Sequence, residues 1–275
     1  MGSSVSSELK KYEAEADFFQ QVLESDLQRL PQGARVLEIG SGIGALSIRL
    51  AQSGFRVTSL EPELGGFSTM LALRDAAGIV RSPVGQTVEW INSDVQSLIH
   101  RRSTYDYAIA VNVIEHVHEY SKLIEDVVKL VKPGGTFRII CPNYALPYEP
   151  HFHMPTIFAK SWSERLLASR INRSQRDEPW LLWDSLSWPT GRSVSKVLRR
   201  LSIPHKQTMD AFDWYLQRVG DDEVFAARKA GLFNVFARRL SAQRGMLVRF
   251  WPRPLAPVLD FRVTSNQPSS VESDP

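Results

Sequence analysis

The sequence contains a single cysteine, Cys141, in 275 residues and no long uninterrupted hydrophobic run. One cysteine excludes a disulfide framework and a cysteine-rich zinc cluster. The apolar stretches are about four to eight residues long, too short to cross a bilayer as helices, and the N-terminus lacks the hydrophobic core of a signal peptide. These absences predict a cytoplasmic protein. The length of 275 residues, with 43% hydrophobic and 23% charged residues, is enough for one sizeable α/β core and an appended substrate-binding part.

Neither sign of charge is in large excess overall, but the two halves of the chain differ. Residues 1–150 hold 14 Lys+Arg against 18 Asp+Glu, whereas residues 151–275 hold 19 against 12. Six of the seven tryptophans also lie in the second half. This composition fits peripheral binding at a membrane, where a lipid-linked or anionic substrate would be found, because arginine and tryptophan favour the interfacial layer. It also fits a solvated helical face over a tryptophan-filled core.

An apolar strand pattern runs directly into a glycine turn and then a helix, in the letters VLEIGSGIG of residues 36–44. Gly40 and Gly42 would let the backbone approach a ligand, and Gly44 would let the following helix lie close to the strand. Glu61 ends the next predicted strand, about twenty residues further on, where a carboxylate accepts hydrogen bonds from ribose hydroxyls. Both NAD and S-adenosylmethionine require such a residue.

Three further segments follow in order. Asp94 comes after the third predicted strand, where it can accept a hydrogen bond from an adenine amino group. The fourth strand, starting at Tyr105, leads to the letters EHV at residues 115–117, and KPGG at residues 132–135 precedes the fifth. Together the five segments resemble the class I S-adenosylmethionine-dependent methyltransferases over residues 34–143. Among these, the chain is similar to the small-molecule type that includes ubiquinone-biosynthesis O-methyltransferases.

The resemblance implies a doubly wound, mostly parallel sheet, with a helical insertion after strand five and a C-terminal extension of helices and a strand. It implies S-adenosylmethionine as cofactor and methyl transfer to a small-molecule or lipid- or sugar-linked acceptor, with oxygen as the expected acceptor atom. The expected cofactor-binding residues are Glu38, Gly40, Gly42, Gly44, Glu61, Asp94, Val95, Asn112 and Glu115.

The pattern along the chain predicts five parts. Residues 1–33 form an amphipathic helix that covers the cofactor, and residues 34–143 form the cofactor-binding core. Residues 144–206 are a helical substrate-binding insertion, since this segment is too long for a plain loop. Residues 207–264 supply helices and a final strand, expected at 258–263. Residues 265–275, rich in Ser, Pro and acid, are expected to be disordered.

A neutral hydroxyl acceptor must lose a proton, which makes histidine the residue to look for. His116 is the first candidate base because it follows strand four at the ligand end of the sheet. The alternative is that Glu115 and His116 have a structural role only. His151 and His153 are the second candidates, in a proline-stiffened loop after strand five. That loop also supplies the expected substrate-binding residues Tyr144, Tyr148 and Glu149.

Other functions are expected to be excluded. The pair His151 and His153 with Glu149 has no further ligand at a recognisable spacing, so no metal site is predicted. Nucleic acid is not the expected acceptor, because the letters PNY at residues 142–144 follow strand five rather than strand four. A NAD-dependent dehydrogenase does not account for EHV and KPGG. The alternatives that remain open are a cofactor-binding partner or regulatory protein without catalysis and a methyltransferase acting on nitrogen, carbon or nucleic acid.

Overall fold

The computed structural model of the chain describes residues 2–62, 68–156, 159–174, 178–221 and 241–266, without the side chains of residues 2–8, 68 and 69. Its helices are α1 (Gly2–Leu27), α2 (Ala45–Gln52), α3 (Ser68–Ala76), α4 (Tyr120–Leu130), α5 (Lys160–Asn172), α6 (Pro179–Ser185), α7 (Gly191–Arg200), α8 (Asp210–Asp221) and α9 (Arg244–Phe250). Its strands are β1 (Arg35–Ile39), β2 (Arg56–Leu60), β3 (Glu89–Ile91), β4 (Tyr105–Val111), β5 (Val131–Pro142), β6 (Tyr148–Glu149), β7 (Met154–Pro155), β8 (His205–Gln207) and β9 (Val258–Thr264).

Seven of the strands form one sheet in the order β3-β2-β1-β4-β5-β9-β8. The first five are parallel, and β9 runs antiparallel to both β5 and β8. The chain order reverses direction between β1 and β4, and ligands of open α/β sheets bind at such a switch point, beyond the carboxyl ends of the strands. The predicted doubly wound, mostly parallel sheet is confirmed.

The central strands are apolar on both sides because helices cover both faces. On one face, β1, β4 and β5 pack under α4 and α7, and on the other they pack under α1 and α2. Cys141 is fully buried in β5. The KPGG turn, expected before strand five, lies within β5, where the pairing register with β4 shifts between Tyr105 and Tyr107.

A buried ion-pair network attaches α1 to the sheet. Arg138 on β5 is fully buried and contacts Asp260 on β9 at 2.6 Å, Asp26 on α1 at 2.7 Å and Asp210 on α8 at 2.7 Å. The hydroxyl of Tyr107 also donates to Asp26, at 2.9 Å. Because three carboxylates surround the guanidinium, its desolvation is compensated by hydrogen-bonded charges. The network holds the N-terminal helix over the carboxyl half of the sheet.

The segment after β5 differs in detail from the sequence prediction. Within the predicted helical insertion, the sequence pattern predicts helices at about 157–171 and 193–202. Helices α5 and α7 lie there, but α6 and the short hairpin of β6 and β7 were missed. Strand β8 was also missed, because residues 205 and 206 were assigned to the helical insertion and residue 207 to the following segment, which was expected to be mainly helical. The final strand was expected at 258–263 and is β9. Residues 222–240 and the tail 267–275 lie outside the described residues, and the five-part division of the chain stays a prediction.

None of the helices in the described ranges combines the length and the apolar character needed to cross a lipid bilayer.

Candidate active site

A cavity of ≈ 650 Å³ lies at the carboxyl ends of β1, β2 and β4. It is bordered by the glycine turn after β1, by Glu61 after β2 and by Asn112 after β4. Helix α1 closes one side with Tyr12, Glu15, Ala16 and Phe19. The cavity therefore occupies the switch point of the sheet under the predicted covering helix.

The three glycines of the turn have different reasons for lacking a side chain. All have positive φ, +67° at Gly40, +56° at Gly42 and +82° at Gly44, which β-carbon-bearing residues rarely adopt. A Cβ on Gly42 would meet no described heavy atom within 4 Å, so the backbone there borders open cavity. A Cβ on Gly40 would collide with Val113, and one on Gly44 with the ring of Trp90. The expected close approach of Gly44 is thus to a side chain of β3, not to β1.

Two buried carboxyl groups flank this turn. Burial raises the pKa of Glu38 to about 8, although the hydroxyl of Ser47 donates a short hydrogen bond to it. Burial also raises the pKa of Glu61, opposed by a hydrogen bond of 2.6 Å from the amide of Gly42. Glu61 therefore stands at the end of β2 with one oxygen on the glycine turn, where a ribose hydroxyl can donate to the carboxylate.

The remaining predicted cofactor residues also lie at the cavity, with one exception. Asp94 and Val95 line it. The side chain of Asp94 accepts from the amide of Gln96 at 3.0 Å and so caps the short 3-10 helix Val95–Leu98. Asn112 has a φ of +54° and donates to Glu15 of α1 at 2.9 Å, which joins the covering helix to the end of β4.

The exception is Glu115, which was expected to line the cofactor near the transferred methyl group. Its side chain is fully buried and does not line the cavity. The 3-10 helix Ile114–His116 turns it into the interior. Burial raises the pKa of Glu115 to about 7, and neither of its oxygens has a hydrogen-bond partner among the described residues.

His116 lines the cavity directly beside Glu115. Its Nδ1 lies 3.1 Å from the hydroxyl of Ser185, which donates its own hydrogen to the carbonyl of Leu182 at 2.7 Å. Nδ1 therefore carries the hydrogen and Nε2 the lone pair, 4.0 Å from a Glu115 oxygen. Burial and the neighbouring His151 lower the pKa of His116 to about 3, so the imidazole is neutral near pH 7.

His151 also lines the cavity and stacks edge-on against His116, with ring centroids 4.8 Å apart. Its Nδ1 is 2.6 Å from an oxygen of Glu149. The same carboxylate accepts from the hydroxyl of Tyr144 at 3.1 Å and from the amide of Phe152 at 2.6 Å. Burial alone would raise the pKa of Glu149, but the hydrogen bond and charge of His151 hold it below its usual value. An ionised carboxylate thus accepts from Nδ1 and orients this imidazole, so that the neutral form of the ring has its lone pair on Nε2.

The other predicted residues of this loop do not border the cavity. His153 has a φ of +50° and lies 3.3 Å from the hydroxyl of Tyr148, which is 47% exposed. Tyr144 and Glu149 are buried, Glu149 in the hairpin of β6 and β7 and Tyr144 against the ring of Trp188. His153 is therefore not placed as a base, and Tyr144, Tyr148 and Glu149 are not placed as substrate contacts at the cavity.

Several cavity residues were missed by the sequence prediction. Tyr12 and Phe19 come from α1, and Lys122 and Asp126 come from α4, where they form an ion pair of 2.6 Å. The apolar face of α1 was a usable signal for the first two. Ser185 had no signal, since it reaches His116 from 69 positions away.

The cavity fits the adenosyl cofactor that the motifs imply. The backbone at Gly42 borders space that a Cβ would fill, and a buried carboxylate stands where a ribose would lie. The glycine turn would hold the methionine part, Glu61 the ribose, and Asp94 with Val95 the adenine.

Comparisons with known proteins agree with this geometry. A family described as "Methyltransferase domain" matches residues 12–219. An uncharacterized protein of Mycobacterium tuberculosis is 34% identical over 257 residues, which cover 91% of this chain and 85% of that protein. A ubiquinone biosynthesis O-methyltransferase of Rickettsia conorii is 30% identical over 125 residues, 46% of this chain and 38% of that protein.

Solved structures share the fold at low identity. Geranyl diphosphate C-methyltransferase from Streptomyces coelicolor A3(2) has a TM-score of 0.52 at 10% identity, covering 96% of this chain and 83% of that one. Phosphoethanolamine N-methyltransferase 2 of Haemonchus contortus, solved with S-adenosyl-L-methionine, has a TM-score of 0.52 at 14% identity, covering 93% and 57%. The chain belongs to the methyltransferase-domain family and is a class I methyltransferase that uses S-adenosylmethionine as its cofactor.

Proposed function

We propose that the protein transfers a methyl group to a hydroxyl oxygen of a small-molecule or lipid- or sugar-linked acceptor, with His151 taking the proton. The observation that carries this proposal is the 2.6 Å pairing of His151 with Glu149 at the cavity wall. A carboxylate on Nδ1 fixes the tautomer and stabilises the imidazolium that forms when Nε2 takes a proton. Nitrogen nucleophiles with a lone pair do not need such a base to the same extent, so the pair favours oxygen.

His116, the leading candidate from the sequence, suits the role less well. Its Nδ1 hydrogen bond is to a neutral hydroxyl, and its pKa of about 3 makes it a weak base at neutral pH. His116 instead packs against His151 and limits how that ring can turn. We assign it a positioning role.

The cofactor supplies a methyl group on a sulfonium that needs no further activation. The chain binds it through the glycine turn and Glu61, and α1 excludes water from one side of the cavity. His151 then has to remove the hydroxyl proton as the oxygen approaches the methyl carbon in line.

The test is turnover with a panel of hydroxyl acceptors, measured as the release of S-adenosylhomocysteine. His151→Gln is expected to lower kcat by about a hundredfold or more and to leave the Kd of S-adenosylmethionine within about threefold. His153→Gln, two positions away and outside the cavity, is the matched comparison and is expected to stay within about twofold of the wild type. Turnover only with nitrogen or carbon acceptors, or equal rates in the two variants, would contradict the proposal.

A membrane-bound acceptor is the second part of the proposal. The C-terminal segment exposes Met246 (57%), Phe250 (71%) and Leu255 (46%), and it carries Arg249 and Arg253. Exposed apolar side chains beside arginines suit the surface of an anionic bilayer.

This segment lies at the same edge of the sheet as the cavity. The side-chain amide of Asn143, directly after β5, donates to the carbonyl of Pro254 at 2.9 Å. Phe250→Ser is expected to reduce sedimentation with phosphatidylglycerol vesicles several-fold. Leu166→Ser, 61% exposed on α5, is the control and should have no effect. Unchanged vesicle binding in the Phe250 variant, or retention on nucleic acid instead, would argue against a membrane acceptor.

A further inference from the structure

We propose that Glu115, His116 and His151 form a binding site for a divalent cation of the zinc class. The inference rests on the proposed transfer to oxygen but not on His151 as the base, because an Nε2 that binds a cation cannot also take the proton. It names the group that would hold the acceptor oxygen. Nothing in the sequence predicted this site, because its residues come from two separate loops that meet only in the fold.

The three side chains converge in space. One potential ligand atom from each lies within 4.8 Å of the others, and His116 Nε2 is 4.0 Å from a Glu115 oxygen. Zinc bonds of about 2.0–2.2 Å place tetrahedral ligands about 3.3 Å apart. The ligand atoms therefore have to close by up to about 1.5 Å, a distance that rotations of these side chains supply.

Both imidazoles are oriented as metal ligands usually are. The Nδ1 of His116 is held by Ser185, and the Nδ1 of His151 is held by Glu149, so that Nε2 carries the lone pair in each ring. Such outer hydrogen bonds fix the tautomer and raise the basicity of the ligand nitrogen. The carboxylate of Glu149 is itself braced by Tyr144 and by a backbone amide.

Glu115 provides an independent reason to expect a cation. Both carboxylate oxygens are buried and have no hydrogen-bond partner among the described residues. A buried ionised carboxylate without a partner is strongly destabilising, and buried charges are normally paired or bound to metals. The backbone carbonyl of Glu115 accepts from the amide of Ser187 at 2.6 Å, which fixes the position of the residue.

The site has an open side. His116 and His151 line the cavity, whereas Glu115 lies behind them, so a cation held by all three would face the cavity with its remaining coordination positions. Two nitrogens and one carboxylate oxygen favour zinc, cobalt, iron or manganese over calcium and magnesium. Three protein ligands with one open position are typical of catalytic zinc sites.

The open position would be taken by the acceptor hydroxyl. Bound to the cation, the hydroxyl loses its proton to water near neutral pH. The oxygen then forms a bond to the methyl carbon as the carbon–sulfur bond breaks, and that electron pair stays on sulfur. The cation keeps its charge throughout, and it replaces the imidazole of His151 as the group that promotes loss of the proton.

The first test is binding of Co²⁺ to the full chain after a chelator has removed bound metal. Binding is measured by visible absorption and by calorimetry, and Zn²⁺ is added as a competitor. The wild type is expected to bind one Co²⁺ and to show the absorption of a four- or five-coordinate site. Glu115→Gln and His151→Gln should each weaken the Kd by about a hundredfold or more, given that outer contacts alone are worth about 10–100-fold. His153→Gln should bind as the wild type does.

Circular dichroism and S-adenosylmethionine binding show whether each variant has folded. Absence of Co²⁺ and Zn²⁺ binding to the wild type at about 1 mM, or an equal Kd in folded Glu115→Gln, overturns the site. Undiminished turnover of a hydroxyl acceptor by chelated enzyme overturns the catalytic part and leaves transfer to oxygen standing. Tight Co²⁺ binding with methylation of nitrogen or carbon acceptors only would overturn transfer to oxygen and leave the cation-binding site standing.

Discussion

Glu115 is a fully buried carboxyl group whose ionisation the fold resists, and this makes the stability of the protein depend on pH. Burial raises its pKa from an ordinary 4.5 to about 7. Below pH 4.5 the group is protonated in both the folded and the unfolded chain. Between pH 4.5 and 7 the unfolded chain releases the proton while the folded chain keeps it, so the free energy of unfolding falls as pH rises.

The size of this loss follows from the two pKa values. At about 1.4 kcal/mol for each pH unit, the full effect is about 3 kcal/mol, and about 2 to 3 kcal/mol of it falls between pH 5 and pH 8. Glu115→Gln removes the titration. The variant is therefore expected to gain about 2 to 3 kcal/mol relative to the wild type when the pH is raised from 5 to 8.

The assay is urea unfolding followed by tryptophan fluorescence at the two pH values, with a chelator present to remove cations. Glu125→Gln is the matched control on α4, because that carboxylate is 41% exposed in an ion pair with Lys129. Its difference from the wild type is expected to change by less than about 0.5 kcal/mol. A constant difference between Glu115→Gln and the wild type across this range would refute the reasoning.

Three further outcomes are expected from substitutions elsewhere. Gly42→Ala should weaken the Kd of S-adenosylmethionine by about tenfold or more, measured by calorimetry, because its Cβ enters the cavity. Gly78→Ala is the control, because Gly78 has a similar φ of +65° and open space around it but lies outside the cavity. Each substitution should destabilise the fold by ~1–2 kcal/mol, but only Gly42→Ala should weaken cofactor binding. Arg138→Met should lower the free energy of unfolding by about 3–5 kcal/mol in urea, since it leaves Asp26 and Asp260 buried and unpaired; a loss below about 1 kcal/mol would count against the network. Relative to the wild type, Glu38→Gln should gain free energy of unfolding as the pH rises, as Glu115→Gln does, because burial raises the pKa of Glu38 to about 8.

The cofactor side of the fold was predictable because its signals are local in the sequence. Apolar runs of strand length, a glycine turn and an acid at the end of the next strand follow one another at short spacing, and parallel strands bring their carboxyl ends to one edge. Gly40, Gly42 and Glu61 meet there for that reason alone. The short strand β8 was missed because its three residues, His205–Gln207, are polar, with no alternation of apolar side chains.

The choice among the histidines was not predictable. His116 had the better position along the chain, but His151 has the better partner, and that pairing depends on how the hairpin of β6 and β7 folds. Likewise, Glu149 was predicted to contact the substrate but is buried and supports His151. Packing decides which side of a loop faces the cavity, and a loop sequence has no hydrophobic periodicity from which that side could be predicted.

The layered sheet, the cofactor turn and the carboxylate at its rim could be predicted from the sequence, because they depend on residue type and on spacing along a single strand or turn. The meeting of Arg138 with α1, α8 and β9, and of Glu115 and His116 with His151, depends on the tertiary structure. Except for the adjacent Glu115 and His116, these groups are separated by dozens of residues in the chain. Their contacts arise from burial and from the meeting of loops at one edge of the sheet, which no local pattern encodes.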